Sequence, residues 1–155
     1  MKFGTRTDIE APQAFVFASL ADFPAWERSG LRRGVELERT DRMRHVGQGM
    51  GWKASFPFRG RRRTLTIRVE DLVEPRSLGF SGSGVSVDGK LQAELIPMGP
   101  RRTRLTVQLE VKPRTLAARL YLQTLRLGRK RLEAKFSERI AHIGLEIGER
   151  FQRGS

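Results

Sequence analysis

Between Val35 and Lys112 almost every second residue is apolar, and the positions in between are mostly Arg, Thr, Glu, Gln or Lys. Alternation of this kind places one face of a strand in a core and the other in water. Val35 and Leu37 begin the first such segment, and Met50, Trp52, Ala54, Phe56 and Phe58 share a face of the second. Leu65, Ile67 and Val69 follow, then Leu78 and Phe80, then Leu91, Ala93 and Leu95, then Leu105, Val107, Leu109 and Val111. Turn-forming pairs fall between them at Arg59-Gly60, Glu74-Pro75, Asp88-Gly89 and Gly99-Pro100. Consecutive strands joined by short turns make an antiparallel meander with one apolar face.

The flanks have other rhythms. Lys2 to Glu10 alternates through Phe3, Thr5, Thr7 and Ile9 and reads as a further strand. Pro12 suits a helix first turn and introduces a short helix from Gln13 to Ala21. Asp22 caps a second, Pro24 to Arg32, which carries Trp26 and stops at Gly34. Past Pro113, with Thr115 as cap, the apolar positions switch to helical spacing: Ala118, Leu122, Leu125, Leu132, Phe136, Ile140, Ile143, Ile147 and Phe151. Read as one continuous helix from Leu116 to Phe151, these thirty-six residues would span about 54 Å. That is long for a domain whose radius of gyration is about 15 Å, and Gly144 and Gly148 predict that its last turns fray or project.

A chain of 155 residues lies within the roughly 100–200 residues of one domain. The pattern predicts a single domain over 1–151 with a disordered tail at 152–155. Its apolar sheet face needs a cover, and the C-terminal helix is the one element long and apolar enough. The expected class is α+β: a curved, seven-stranded antiparallel sheet wrapped around a long C-terminal helix, with two short helices after the first strand. A helix is narrower than such a sheet, so the grip leaves a cavity between them.

Three stretches carry a family likeness. They are Ile9 to Glu27 (the first strand running into two small helices), Val73-Glu-Pro-Arg-Ser-Leu-Gly-Phe80, and Arg101-Arg-Thr-Arg-Leu-Thr-Val107 before the long helix. On these the chain resembles the START/SRPBCC superfamily, the helix-grip group that includes the birch-pollen allergen and polyketide cyclase/dehydrase-like proteins. The resemblance spans Met1 to about Ile147. It implies the fold and leaves the activity open, because the matching motifs are structural and the fold hosts carriers, receptors and enzymes alike.

Catalytic and cofactor signatures are sparse. Gly47, Gly49 and Gly51 are followed by strand rather than by the helix a nucleotide loop requires. Gly82-Ser83-Gly84 lacks the spacing of a hydrolase elbow. There is no cysteine, which agrees with a reducing cytoplasm, and only His45 and His142 could serve as imidazole ligands or bases. No cofactor and no metal are expected. The most apolar stretch, Ala14 to Ala21, is far short of a membrane span.

The expected cavity walls are Trp52, Phe56, Ile67, Leu91, Leu95, Leu109, Tyr121, Leu125 and Phe136. Arg129 falls on the helix's apolar stripe. Either its aliphatic stem lets the guanidinium reach solvent, or it faces a wet cavity and binds an acidic ligand. The expected function is binding or transport of a small hydrophobic, anionic ligand, lipid or polyketide-like. A cyclase/dehydratase-like enzyme and a peripheral membrane or partner-binding protein are the alternatives.

Thirty basic against 17 acidic residues give a net charge of +13. Residues 114–139 carry eight basic and two acidic groups, and Arg59-Gly-Arg-Arg-Arg63 forms a basic hairpin tip beside Phe56 and Phe58. These leave open a peripheral contact with anionic membrane, which would be electrostatic only, the apolar stripe being committed to the sheet. No module for specific nucleic-acid binding is evident, and the chain is expected to be a monomer or homodimer.

Overall fold

A computed structural model describes residues 1–154. The elements follow in the order β1 (Lys2–Ile9), α1 (Gln13–Leu20), α2 (Phe23–Arg32), β2 (Glu36–Arg39), β3 (Gly51–Phe58), β4 (Arg61–Val73), β5 (Ser77–Ser83), β6 (Val87–Gly99), β7 (Arg102–Pro113), α3 (Leu116–Arg126) and α4 (Arg129–Gly154). The seven strands form one sheet in the order β1-β7-β6-β5-β4-β3-β2, every neighbouring pair antiparallel. Consecutive strands are therefore neighbours except that β1 closes beside β7. This is the expected α+β helix-grip arrangement.

Local chemistry explains the joints. Asp22 accepts a hydrogen bond from the Ala25 amide at 3.4 Å, and Thr115 accepts one from Ala118 at 3.1 Å, so both caps form as their residue types require. The β3–β4 turn consists of Arg59 and Gly60, both at positive φ (53° and 75°), the combination a two-residue hairpin needs to follow strand twist. Asp88-Gly89, in contrast, is not a turn. Both residues are paired within β6, and the chain reverses earlier, at 84–86.

The C-terminal stripe is broken. At Leu127 and Gly128 the amides bond back three residues, to Thr124 and Leu125, and the chain restarts as α4. Glycine holds helical backbone poorly, and tightened turns of this type close a helix. The single thirty-six-residue helix is thus two helices at an interruption, which removes the conflict between its length and the size of the domain. The tail expected at 152–155 is helical through Gly154; Ser155 lies outside the described residues.

α4 lies along β1, in the same direction. Arg129 sits over Phe3, Phe136 also packs on Phe3, a Cβ on Gly144 would meet Thr7 and Ile9, and one on Gly148 would meet Glu10. From Arg129 to Gly148 a helix rises about 28 Å, and from Lys2 to Glu10 a strand extends about 26 Å, so the two match in length. Gly144 and Gly148 are buried, with the helix backbone drawn close to the strand. The last turns are therefore the most tightly held part of the helix, and they neither fray nor project. Phe151 continues the contact onto Phe15 of α1, edge to face at 5.2 Å.

The core gathers where α1, the start of α2 and the end of α4 meet the sheet. Ile9, Val16, Phe17, Phe23, Val69, Leu105 and Ile147 are all buried there. Thr103 is the one buried polar side chain among the described residues, and its hydroxyl donates to the Ala11 carbonyl at 2.8 Å.

Candidate functional site: the cleft between sheet and helices

Seven strands at about 4.8 Å spacing make a sheet roughly 29 Å wide, and a helix with side chains covers about 10 Å of it. Because α4 is anchored along β1 at the edge, the inner face of β4, β5 and β6 lacks a helix directly above it. α1 and α2 close one side. What remains is an open cleft of about 430 Å³, and its wall is almost wholly apolar. Leu20, Phe23 and Trp26 come from α1 and α2, Leu37 and Trp52 from β2 and β3, Ile67 from β4, Phe80 from β5, Leu91 and Ala93 from β6, Val107 and Leu109 from β7, and Ile140 and Ile143 from α4.

Of the residues expected on the cavity wall, the structure brings Trp52, Ile67, Leu91 and Leu109 to this cleft. Leu95 is buried in the core instead. Phe136 is half-buried against Phe3 at 6.3 Å, beyond the lining. Phe56 lies further along β3, opposite Arg63 near the hairpin. Tyr121 and Leu125 belong to α3, which contributes nothing to the wall; the Tyr121 ring packs edge-on against Phe58 at 6.1 Å and lies under the Arg59 guanidinium at 4.6 Å.

Arg129 is outside the cleft. Its guanidinium donates to Glu133 Oε1 at 2.7 Å and to the Lys2 carbonyl at 2.9 Å, stacks over Phe3, and stays half-exposed. Of the two roles open to it, the aliphatic stem reaching solvent is the one observed. The reason is the break at Gly128: Arg129 is the first residue of α4 and not the middle of a buried stripe.

A charge does reach the cleft, with the opposite sign. Glu27 of α2 is half-buried on the wall, and its Oε1 accepts the indole N–H of Trp52 at 2.9 Å. Trp52 is itself sandwiched: Phe23 meets it edge-on at 4.9 Å, and the Arg39 guanidinium lies 5.7 Å from its ring. Arg39 is held by Asp41 through its Nε at 2.9 Å. Asp41 also accepts the amides of Gly51 (2.8 Å) and Met43 (2.9 Å). Hydrogen bonding from Arg39, then from Gly51, holds the Asp41 carboxyl far below the ordinary carboxylate range, and the same bond raises Arg39. The cluster Glu27–Arg39–Asp41 thus carries a net negative charge beside the indole. Ser81 and Lys90 also border the cleft, but their side chains belong to the outer face, where Ser81 bonds Glu70 and Lys90 is exposed.

Sequence reasoning missed Glu27, Trp26 and the other helix-borne wall residues because it sought the cavity between the sheet and the last helix. The signal was present in the adjacent pair Trp26-Glu27 on a helix too short to have any other apolar partner than the sheet.

Other features are less suited to chemistry. His45 is exposed in the β2–β3 connection, and His142 is exposed and lies 3.0 Å from Glu146 one turn on. Among the described residues no group of His, Cys, Asp and Glu could hold a metal ion, and no helix is long and apolar enough to cross a membrane. A wider hollow of about 830 Å³ lies on the outer face of the sheet, edged by Lys2, Glu70, Lys90, Gln92, Gln108 and Glu110. Its rim carries opposed charges, Lys2 and Lys90 against Glu70 and Glu110.

No protein-family model matches the chain, and no curated protein matches it in sequence. Solved structures do match in fold. A Thermus thermophilus protein superposes with a TM-score of 0.66 at 18% identity, covering 100% of this chain and 99% of its own. The Zhui aromatase/cyclase from Streptomyces sp. R1128 gives 0.66 at 15% identity, covering 97% and 94%. A START superfamily protein from Mycobacterium smegmatis gives 0.59 at 16%, covering 90% and 98%. The chain has the START/SRPBCC helix-grip fold, and its neighbours in that fold include a cyclase.

Proposed function

We propose that this helix-grip domain binds a small, uncharged, largely apolar molecule in the cleft, and that Glu27 orients it by accepting a hydrogen bond from a ligand hydroxyl or amide N–H. The observation that carries the reading is an apolar wall interrupted on its inward side by one carboxylate, of which Oε1 is already occupied by Trp52. Burying about 300 Å² of ligand surface contributes roughly 7 kcal/mol before the cost of immobilising the ligand is subtracted. The anionic preference expected from the sequence rested on Arg129 facing inward. With Arg129 outside and Glu27 inside, an acidic ligand would meet like charge in a poorly hydrated site.

Calorimetric titration with a medium-chain alcohol and with the carboxylic acid of the same length separates these readings. The alcohol should bind at least about tenfold more tightly, the range set by a hydrogen bond to a charged acceptor, and Glu27→Gln should erase most of the difference. Tighter binding of the carboxylate to the parent protein would overturn the assignment.

A further inference from the structure

We infer that the end of the domain formed by α3 and the β3–β4 and β5–β6 hairpins docks on an anionic lipid surface. Antiparallel topology puts the start of β1, the Arg59-Gly60 turn, residues 84–86, the end of β7 and the α3–α4 junction at one end of the sheet. Contacts fix the arrangement. Arg59 and Phe58 lie on Tyr121 of α3, and Arg114, just before α3, donates to the Gly84 carbonyl at 2.9 Å.

Two properties coincide there. The first is charge. Residues 51–69 and 111–132 together hold thirteen basic residues and no acidic one, whereas the remainder of the chain holds seventeen of each. The entire net charge of +13 therefore belongs to these two segments, and of their basic residues Lys53 and Arg68 lie away from this end, toward the far end of β3 and β4. Some of it is paired locally, Arg62 with Glu36, Lys112 with Glu110, Arg114 with Asp88 and Arg129 with Glu133. Arg61, Arg119 and Arg126 have no ion-pair partner among the described residues.

The second is apolar exposure on the same helix. α3 has no buried residue. Ala118, Tyr121, Leu122 and Leu125 are half-buried on its inner side, yet Leu116, Leu120 and Leu127 are 71%, 55% and 91% exposed. Continued through Leu127, the C-cap just past α3, at 100° per residue, these three fall within about 40° of one another, with Arg119 and Arg126 together along one side of them. Val85, 88% exposed at the neighbouring hairpin, extends the patch. These leucines stand apart from the stripe, whose Ala118, Leu122 and Leu125 do turn inward, so the contact has an apolar part besides the electrostatic one expected from the sequence. Exposed leucines in a row beside arginines match the two-part chemistry of an anionic bilayer, headgroup charge outside and acyl chains beneath. They fit nucleic acid less well, because the Tyr121 ring is already covered by Arg59 and Phe58 packs edge-on against Tyr121, so no row of free aromatic faces is offered for stacking bases.

The test uses the full chain and sedimentation with vesicles of phosphatidylcholine alone or mixed with phosphatidylglycerol. Binding to the mixed vesicles only is expected. Arg61→Gln/Arg119→Gln/Arg126→Gln should weaken it about a hundredfold, at about fivefold per charge. Leu116→Gln/Leu120→Gln/Leu127→Gln should weaken it at least tenfold and leave a residual binding that high salt abolishes. These positions are exposed, so melting temperatures should stay at the parent value. No binding to the mixed vesicles, or insensitivity to the leucine changes, would overturn the proposal. So would equal displacement by a single-stranded RNA, which would identify a general polyanion site. None of these outcomes depends on occupancy of the cleft.

Discussion

Gly144 and Gly148 are one turn apart on α4, both buried against the end of β1, and the structure assigns them opposite responses to the same substitution. A Cβ on Gly148 would find its nearest neighbours at 3.6–3.8 Å, the backbone and Cβ of Glu10, an ordinary contact distance. A Cβ on Gly144 would lie 3.0 Å from Ile9 Cγ1 and 3.1 Å from Thr7 Cγ2. Ile9 is only 1% exposed, and the atom met is near its root rather than at a free tip, so it has little room to withdraw. Alanine in a helix interior is favoured over glycine by about 1 kcal/mol. Overpacking by one carbon costs about 1–3 kcal/mol. Gly148→Ala should therefore stabilise by about 1 kcal/mol and raise the melting temperature by about 2–4 °C. Gly144→Ala should come out destabilised by about 1 kcal/mol, the overpacking cost exceeding the helix gain, with a fall of similar size. Urea and thermal unfolding of both variants check this. If both gained stability equally, β1 would yield freely, and the close grip that leaves the cleft open elsewhere would be the wrong description.

Acid stability should respond to Asp41. Its carboxyl is depressed in the folded state by Arg39 and the Gly51 amide, so its contribution is complete above the unfolded value of about 4 and is lost as pH falls through and below that value. Asp41→Asn should lower the melting temperature at neutral pH and flatten the acid limb; parallel curves for parent and variant below about pH 4 would contradict this. Thr103→Val keeps the shape but strands the buried Ala11 carbonyl that Thr103 now satisfies. Its cost should be about 1–3 kcal/mol in urea unfolding, and a neutral result would mean that water replaces the hydroxyl.

The sheet was legible because its signal is local and repeated. Each strand carries its own alternation, and the pairing order follows from short turns. Turn chemistry alone was less secure: Asp88-Gly89 has the composition of a hairpin loop, yet Ser83 and Lys112 pair with Asp88 from the two sides and keep it in strand. Helical spacing could not show the interruption at Gly128, since Leu125 and Leu132 stay in phase across it. Nor could it show which side of a glycine faces a neighbour; Gly144 and Gly148 are close-approach positions only because β1 happens to lie beneath them. The apolar half of the cleft wall was readable from the strands. Arg129 lies outside the cleft and Glu27 on its wall because their placement depends on where helices begin and which face they turn to the sheet, which spacing within one segment does not show.

Trp26 and Trp52 are the chain's two tryptophans, and both line the cleft. Energy transfer from them to N-phenyl-1-naphthylamine therefore reports directly on whether a small apolar molecule enters between sheet and helix. The account predicts efficient transfer that saturates at one probe per chain. Transfer that never saturates, or tryptophan emission that the probe leaves unchanged, would mean that the space is not a binding site.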